Sequence, residues 1–152
     1  MSVATAVTYP KLSKALEYLV HKWGPIKGRT RLIKLLYLVD KAWMDTHREA
    51  FTEAKYYRFN HGPFAKEIMH AINQMDGVEM IETTVPGRDG PVYEYAPGRM
   101  TRLSHYRLDP EFTQLLDDIA QRWGRAPLQS VLDHVYGSAD FKAKNFGEKL
   151  LQ

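Results

Sequence analysis

The six histidines are the first candidates for chemistry, because histidine serves both as a metal ligand and as a general base near neutral pH. No two of them are four residues apart, so the His-x-x-x-His pair of a helical metalloprotease is missing. His61 and His70 flank one predicted helix, and positions at the surface or in a turn explain them better than a shared metal. The sequence therefore predicts no metal site and no cofactor.

Carboxylates are the second candidates for chemistry. Asp117 and Asp118 are adjacent on a predicted helix and point about 100° apart, so we interpret them as solvated positions rather than a catalytic pair. Asp40 lies on the helix that we expect at the centre of the fold, where a structural hydrogen-bonded pair is the better explanation. Its candidate partners at helical spacing are Lys34, Tyr37 and Lys41.

Motifs of nucleophilic and nucleotide chemistry are missing from the chain. Without cysteine there is no thiolate nucleophile, no disulfide and no cysteine-based zinc site. There is also no Gly-x-Ser-x-Gly elbow, no glycine-rich phosphate loop with lysine and no dinucleotide fingerprint. We interpret the glycines at 87 and 90 as a hairpin tip. The sequence predicts that the protein is not an enzyme.

Composition indicates one compact domain. The chain has 152 residues, of which 44% are apolar and 26% charged, as in ordinary globular proteins. We expect a tail at residues 1–9 and a single domain at 10–152. No apolar run approaches the ~20 residues of a membrane-spanning helix, and no secretory signal is seen, which predicts a cytoplasmic protein without a membrane partner. The excess of positive charge lies in the N-terminal half of the chain. Residues 1–76 carry 12 Lys and Arg against 7 Asp and Glu, whereas residues 77–152 carry 9 Lys and Arg against 11 Asp and Glu.

Apolar residues at helical spacing predict most of the elements that must position these side chains. Proline at the first turn and Asx or Thr N-caps mark several starts. The predicted helices run from Pro10 to Trp23, from an N-cap at Thr30 to about Arg48, from Pro63 to Met75, from an N-cap at Asp109 to Trp123, and from Leu128 to Tyr136, with a short helical piece in the tail after Ser138.

Strands are predicted where aromatic and β-branched residues alternate. An extended segment covers Ala54–Phe59, a hairpin pairs Val78–Val85 with Pro91–Ala96, and Arg99–Leu108 adds a third strand. The predicted fold class is α+β and mainly α-helical: about five to six helices with a small antiparallel hairpin or three-stranded sheet inserted in the middle.

One function that the residues themselves suggest is DNA binding. The order of helices followed by a hairpin is typical of a winged helix, with Arg88 at the tip of the wing. Phosphate contacts would come from the basic connector, namely Lys27, Arg29 and Arg31. Against this, the would-be recognition helix carries Lys66 as its single cation, fewer than a specific DNA module usually has.

Two segments together resemble a known family. Residues 30–40 read TRLIKLLYLVD, and residues 57–64 read YRFNHGPF. The chain is similar in this to the Panacea, or SocA-like, antitoxin domain, whose members join a Lys-Leu-Leu-Tyr helix to an aromatic strand that ends in a Tyr-Gly-Pro turn. The resemblance runs from about Leu12 to Leu150. His61 stands where a tyrosine often precedes Gly-Pro, and the hairpin at 78–108 is longer and more charged than the family pattern.

The resemblance implies a non-enzymatic antitoxin that neutralises a co-encoded toxin by direct contact, in a bacterial or phage toxin–antitoxin pair. A protease that receives the toxin, or operator DNA, is a further implied partner. The winged-helix DNA-binding regulator remains the alternative. Aromatic and arginine side chains usually dominate such interfaces, so the candidate contacts are Tyr56, Arg58, His61, Arg88, Arg99 and Arg102.

Other motif residues are assigned to maintaining the fold. Tyr56 and Tyr57 must face opposite sides of an extended strand, so packing of Tyr56 against the third helix is an equally good explanation for it. Gly62 is expected to allow a tight turn, and Pro63 to set the first φ angle of the helix that follows. The residues given this structural role are Lys34, Leu35, Leu36, Tyr37, Asp40, Tyr57, Phe59, Gly62 and Pro63.

Overall fold

The computed structural model describes residues 7–60, 62–100 and 108–151. The described residues form a mainly helical α+β fold, which confirms the predicted class. In chain order the elements are α1 (Pro10–Trp23), β1 (Ile26–Lys27), α2 (Arg29–His47), β2 (Tyr57–Phe59), β3 (Gly62–Phe64), α3 (Lys66–Met75), β4 (Met80–Gly87), β5 (Gly90–Pro97), α4 (Pro110–Trp123), α5 (Leu128–Tyr136) and α6 (Ala139–Lys142).

Helix α2 is the centre of the fold, as predicted from its apolar residues on more than one face. Every residue from 32 to 40 is buried. Helices α4 and α5 pack against it, and α1 packs between α4, α3 and β5. A helix enclosed in this way is held by the burial of its side chains rather than by helix propensity.

The start of α2 differs from the prediction. Of the basic connector, Lys27 lies in strand β1, in which Ile26 pairs with Tyr95 and Lys27 with Glu94 of β5, whereas Arg29 and Arg31 lie in α2. Gly28 then turns the chain directly into the helix at a φ of 102°, a conformation that glycine adopts without a steric penalty. Thr30 is therefore inside α2 and does not cap it. The pairing of the connector with a distant strand could not be recognised from its composition.

Pro63 does not begin a helix, contrary to the prediction. It lies in β3, where it pairs with Arg58 of β2, and Tyr57 and Phe59 pair with Phe64 and Gly62. Proline is tolerated in a short edge strand, where its missing N–H breaks no ladder hydrogen bond. Helix α3 begins three residues later, at Lys66.

Strands β4 and β5 form the predicted hairpin, in register from Met80 opposite Pro97 to Gly87 opposite Gly90. The third strand of this sheet is β1, which gives the order β1-β5-β4. The sequence instead predicts that residues 99–108 form this strand. Residues 101–107 lie outside the described residues, and the described residues on either side of them are not in a strand.

Asp117 is a hub between α1 and α4 rather than the solvated residue expected. Its carboxylate accepts hydrogen bonds from the Tyr18 hydroxyl, Lys22 Nζ and Trp23 Nε1, each at 2.9 Å. Partial burial acts to raise its pKa, but these three donors outweigh burial and lower the pKa. Asp118 is exposed and accepts only from Gln114. The expectation failed for Asp117 because its donors lie about 95 residues away in the chain.

The ends of the described chain pack onto the domain. Tyr9, assigned from the sequence to a tail, is buried in the core, and its hydroxyl lies 3.1 Å from His70 Nδ1. The C-terminal segment runs beside β2, with Lys149 opposite Tyr57 and the Leu150 N–H donating to Tyr56 O. Within the described residues, no helix combines the length and the apolar character needed to cross a bilayer.

Candidate protein-binding site

Three phenylalanines form an exposed aromatic cluster at the β2–β3 hairpin. Phe59 is 40% exposed and Phe146 is 64% exposed. The Phe59 ring meets Phe146 edge to face at a centroid distance of 5.7 Å and meets Phe64 in the same way at 6.0 Å. Contiguous exposed apolar side chains mark interaction sites on soluble proteins more often than single ones do. This cluster is the candidate functional site.

A cleft of about 430 Å³ lies beside the cluster, and we call it the aromatic cleft. It is bounded by the start of α2, the β2–β3 hairpin and the C-terminal segment, and its walls are mainly apolar. The residues that line it are Arg29, Thr30, Ile33, Lys34, Phe59, Asn60, Gly62, Phe64 and Phe146. Phe59 also borders two further grooves, so one side chain stands at the junction of three depressions.

The hairpin that carries Phe59 is held on both sides. On one side β2 pairs with β3, and on the other the Arg58 N–H donates to Glu148 O while Arg58 O accepts from the Gly147 N–H. The Arg58 guanidinium lies over the Phe141 ring and donates to the Phe141 and Lys144 carbonyls. A surface held in this way loses little conformational entropy when a partner binds.

Lys34 is the charged residue at the floor of the aromatic cleft. Its side chain comes from the buried face of α2 and is only 2% exposed. The ammonium group donates to Pro63 O at 2.8 Å. Burial lowers the pKa of Lys34 to about 8, because desolvation disfavours the charged form.

Gly62 packs closely against Lys34 and against Tyr136 of α5. A Cβ atom at this position would lie 2.7 Å from Tyr136 Cε1 and 3.2 Å from Lys34 Cε. The backbone φ of Gly62 is +92°, a region that residues with a side chain rarely adopt. Gly62 therefore has a second role besides the expected tight turn: it permits α5 and Lys34 to pack closely together.

Tyr56 is buried in the core, as one of the two explanations for it predicted, which leaves it almost no exposed surface for the other. It is 1% exposed, its ring meets Tyr37 edge to face, and its hydroxyl donates to Asp40 Oδ2 at 2.8 Å. Tyr57, its neighbour, is half-buried on the other side of the strand. The alternation of the two tyrosines was predicted correctly, and burial decided which of them faces the core.

Asp40 is a structural hydrogen-bond acceptor, but two of its three predicted partners are wrong, and the third, Tyr37, stays a prediction. Besides Tyr56, it accepts from Thr52 Oγ1 at 2.7 Å, whereas Lys41 pairs with Asp45 and Lys34 bonds to Pro63. Burial raises the pKa of Asp40 to about 6, although both hydroxyl donors act to lower it. The loop that supplies Thr52 has no periodicity by which a sequence could place it.

The raised pKa of Asp40 predicts how stability changes with pH. The folded state binds the Asp40 proton more tightly than the unfolded state does, so stability is highest below the unfolded value of 3.8 and is lost as pH rises through about 6. We expect the free energy of unfolding to fall by about 3 kcal/mol across this interval relative to the Asp40→Asn variant. Urea denaturation of both proteins between pH 4 and pH 7.5 measures this difference, and parallel pH profiles would contradict it.

Of the remaining predicted contacts, the three that lie in the described part of the chain do not line the aromatic cleft. Arg58 borders the neighbouring groove and holds the C-terminal segment. Arg88 is exposed in the β4–β5 turn, and Arg99 is exposed just after β5. His61 and Arg102 lie outside the described residues. Arg88 and Arg99 stay predictions, because no contact of theirs decides their role.

The sequence did not identify Phe64 and Phe146 as site residues, and it assigned Phe59 only to maintaining the fold. Phe146 is the one large apolar residue in the run KAKNFGEK at 142–149, where the flanking side chains are polar or small. An isolated phenylalanine in a polar segment is a signal that could have identified it. Nothing in the local sequence shows that it lies against Phe59, 87 positions earlier.

Two of the three cations of the basic connector have partners within the fold. Arg29 lies over the Tyr93 ring at 3.9 Å and 3.4 Å from the Glu82 carboxylate, and Arg31 donates to Trp123 O. Lys66 is the one exposed cation on α3. In favour of a winged helix, α1, α2 and α3 are followed by the β4–β5 hairpin, which is the order of elements that suggested this alternative.

Metal ligands do not gather in the described part of the chain, where no group of three or more His, Asp or Glu side chains is arranged to hold an ion. His70 contacts Tyr9 instead.

Comparison with known proteins places the chain in a family. The family model described as antitoxin SocA-like, Panacea domain, matches residues 32–139. This span includes Lys34, Phe59, Gly62 and Phe64 but stops before Phe146, and it is narrower than the stretch over which the resemblance was expected. No curated protein and no solved structure matches the chain. Because the match covers more than half of the chain, the protein belongs to the antitoxin SocA-like Panacea domain family.

Proposed function

We propose that this protein is an antitoxin that neutralises a co-encoded toxin by direct contact, and that the toxin binds at the aromatic cleft. The observation that carries the proposal is the exposed cluster of Phe59, Phe64 and Phe146 on a hairpin held on both sides. Membership of the antitoxin family supports the class of function. The cluster supports the location, since it combines aromatic anchors with a preformed cleft.

The arrangement of the titratable groups supports binding rather than catalysis. Asp40 and Lys34, the buried carboxylate and the buried lysine whose pKa values are shifted by burial, bond to different partners. A general acid and base must converge on one substrate position. We therefore infer that the raised and lowered pKa values follow from burial in the fold, and that the protein works through its surface.

Truncating Phe59 tests the location of the interface. We expect Phe59→Ala to weaken toxin binding by about 30-fold, the effect of losing an interface anchor of about 2 kcal/mol. The variant should fold, because Phe59 is already 40% exposed. Isothermal titration calorimetry against the purified protein of the adjacent open reading frame measures the affinity.

The matched control for Phe59 is Leu128→Ala. Leu128 is a large apolar residue of nearly equal exposure, 39%, at the start of α5, and it does not line the aromatic cleft. It should bind the toxin as the wild type does. Equal affinity of the Phe59 and Leu128 variants would place the interface elsewhere on the protein.

Co-expression with the adjacent open reading frame tests the function itself. Rescue of growth together with a complex that co-purifies is the result expected of an antitoxin that acts by direct contact. Rescue without a complex would indicate instead that the toxin is handed to a protease. If the neighbour is harmless and nothing co-purifies, the proposal fails. The order of helices followed by the β4–β5 hairpin then makes operator DNA binding the next candidate, to be tested by a gel shift that weakens steeply with salt.

A further inference from the structure

We propose that the toxin segment bound in the aromatic cleft carries a carboxylate that pairs with the Lys34 ammonium group, next to an apolar side chain that packs on Phe59 and Phe146. This inference rests on the proposed function and deepens it, because it names the chemistry of the segment that the cleft accepts. The occupant is an acidic-apolar stretch of the partner, with the acid at the floor of the cleft and the apolar residue at its rim.

Within the described residues, the positive charge of Lys34 has no carboxylate partner. Its ammonium group is buried, and within the described residues it has a neutral carbonyl, Pro63 O, as its acceptor and forms no ion pair. Arg29, the other cation of the cleft, already has the Glu82 carboxylate at 3.4 Å. A buried charge without a counter-charge is unfavourable, and a carboxylate that arrives with good geometry relieves this.

The walls of the aromatic cleft are mainly apolar. They come mainly from Ile33, Phe59, Phe64 and Phe146, so a purely polar ligand would bury its own groups without hydrogen-bond partners. The volume of about 430 Å³ accommodates a few side chains and not a folded domain. An apolar side chain packs against these walls, and a carboxylate beside it pairs with Lys34 at the floor of the cleft.

Lys34 and Gly62 both line the aromatic cleft. Gly62 packs against the lysine side chain, where a Cβ atom would approach Lys34 Cε to 3.2 Å, and it therefore closes that side of the lysine. A toxin carboxylate approaches Lys34 from the cleft itself and not past Gly62.

Pairing with a carboxylate predicts proton uptake on binding. The pKa of Lys34 is about 8 in the free protein, so a part of the lysine is neutral at pH 8, and an anionic partner raises this pKa. Affinity should then fall as pH rises above about 8. Two titratable groups near Lys34 in the described part of the chain keep their protonation state in this interval: Arg29 remains charged, and burial raises the pKa of Tyr136 above its ordinary value of 10.

Calorimetry with the purified toxin tests the pairing directly. At pH 8, binding to the wild type should take up a fraction of a proton, measured as the difference in heat between two buffers of different ionisation enthalpy. Lys34→Met should bind about tenfold more weakly and take up no proton. The matched control, Lys27→Met, removes the same charge from an exposed position on β1 and should bind as the wild type does.

The outcomes separate this inference from the proposed function. If the wild type binds the toxin but Lys34→Met binds equally well with unchanged proton uptake, the carboxylate pairing is wrong and the antitoxin function stands. If the wild type itself does not bind, the proposed function fails and this inference with it. Should the Lys34 variant not fold by circular dichroism, the proton uptake of the wild type decides alone, and a value of zero at pH 8 overturns the pairing.

Discussion

The Leu36→Asp variant is expected to be unfolded at 25 °C. Leu36 is fully buried at the centre of α2, the helix against which α4 and α5 pack. The substitution removes an apolar side chain worth about 2–5 kcal/mol in the core and adds a carboxylate that must be protonated or left unpaired. The sum reaches the whole stability of an ordinary domain, about 5–15 kcal/mol. Far-ultraviolet circular dichroism and solubility on expression measure the result.

Leu128→Asp is the control for this prediction. It makes the same change at an exposed leucine that is the first residue of α5. A negative charge there is favourable, because it faces the positive end of the helix dipole. We expect this variant to melt within about 2 °C of the wild type, since 1 kcal/mol corresponds to about 2–4 °C in a domain of this size. A cooperative melt of Leu36→Asp near the wild-type temperature would mean that α2 is not the centre of the core.

The Gly62→Val variant is expected to lose about 2–5 kcal/mol of stability, or roughly 5–15 °C in melting temperature. Two effects add. A side chain at a φ of +92° is strained by about 1–2 kcal/mol. The new Cβ would also lie 2.7 Å from the Tyr136 ring, and overpacking of this kind adds about 1–3 kcal/mol because α5 must move. Differential scanning calorimetry measures both the temperature and the enthalpy.

Gly77→Val separates the two effects. Gly77 has nearly the same φ, +88°, but a Cβ there would meet nothing within 4 Å. This variant therefore carries the backbone strain without the clash, and we expect it to lose about 1–2 kcal/mol. Equal destabilisation of the two variants would show that Tyr136 moves aside without loss, and that the packing of α5 on β3 is looser than the distances indicate.

The residues that carry the family resemblance hold the fold and also build the candidate site. Leu36 and Lys34 are two positions apart on α2; the first is buried among apolar side chains, and the second reaches the floor of the aromatic cleft. Gly62 likewise shapes the hairpin and permits Lys34 and Tyr136 to pack closely beside it. A variant at either cleft residue must therefore be tested for folding before a loss of toxin binding is assigned to the interface.

The sequence by itself determined the elements whose causes are local. The helices at 10–23, 110–123 and 128–136 follow from apolar residues at helical spacing, and the N-cap at Asp109 is confirmed by its hydrogen bonds to the N–H groups of Glu111 and Phe112. The β4–β5 hairpin follows from alternation around a short turn. These features depend on residues within about one to two turns of each other, so the local sequence specifies them independently of the rest of the fold.

Only the tertiary structure decided the features that join distant segments. Pro63 became a strand residue because β2 lies beside it, and Asp117 became a hub because the end of α1 brings three donors to it. The aromatic cleft is of the same kind, since it needs α2, the β2–β3 hairpin and Phe146 together. Burial gives Lys34 and Asp40 their altered pKa values, and burial is a property of the folded chain as a whole rather than of any local pattern.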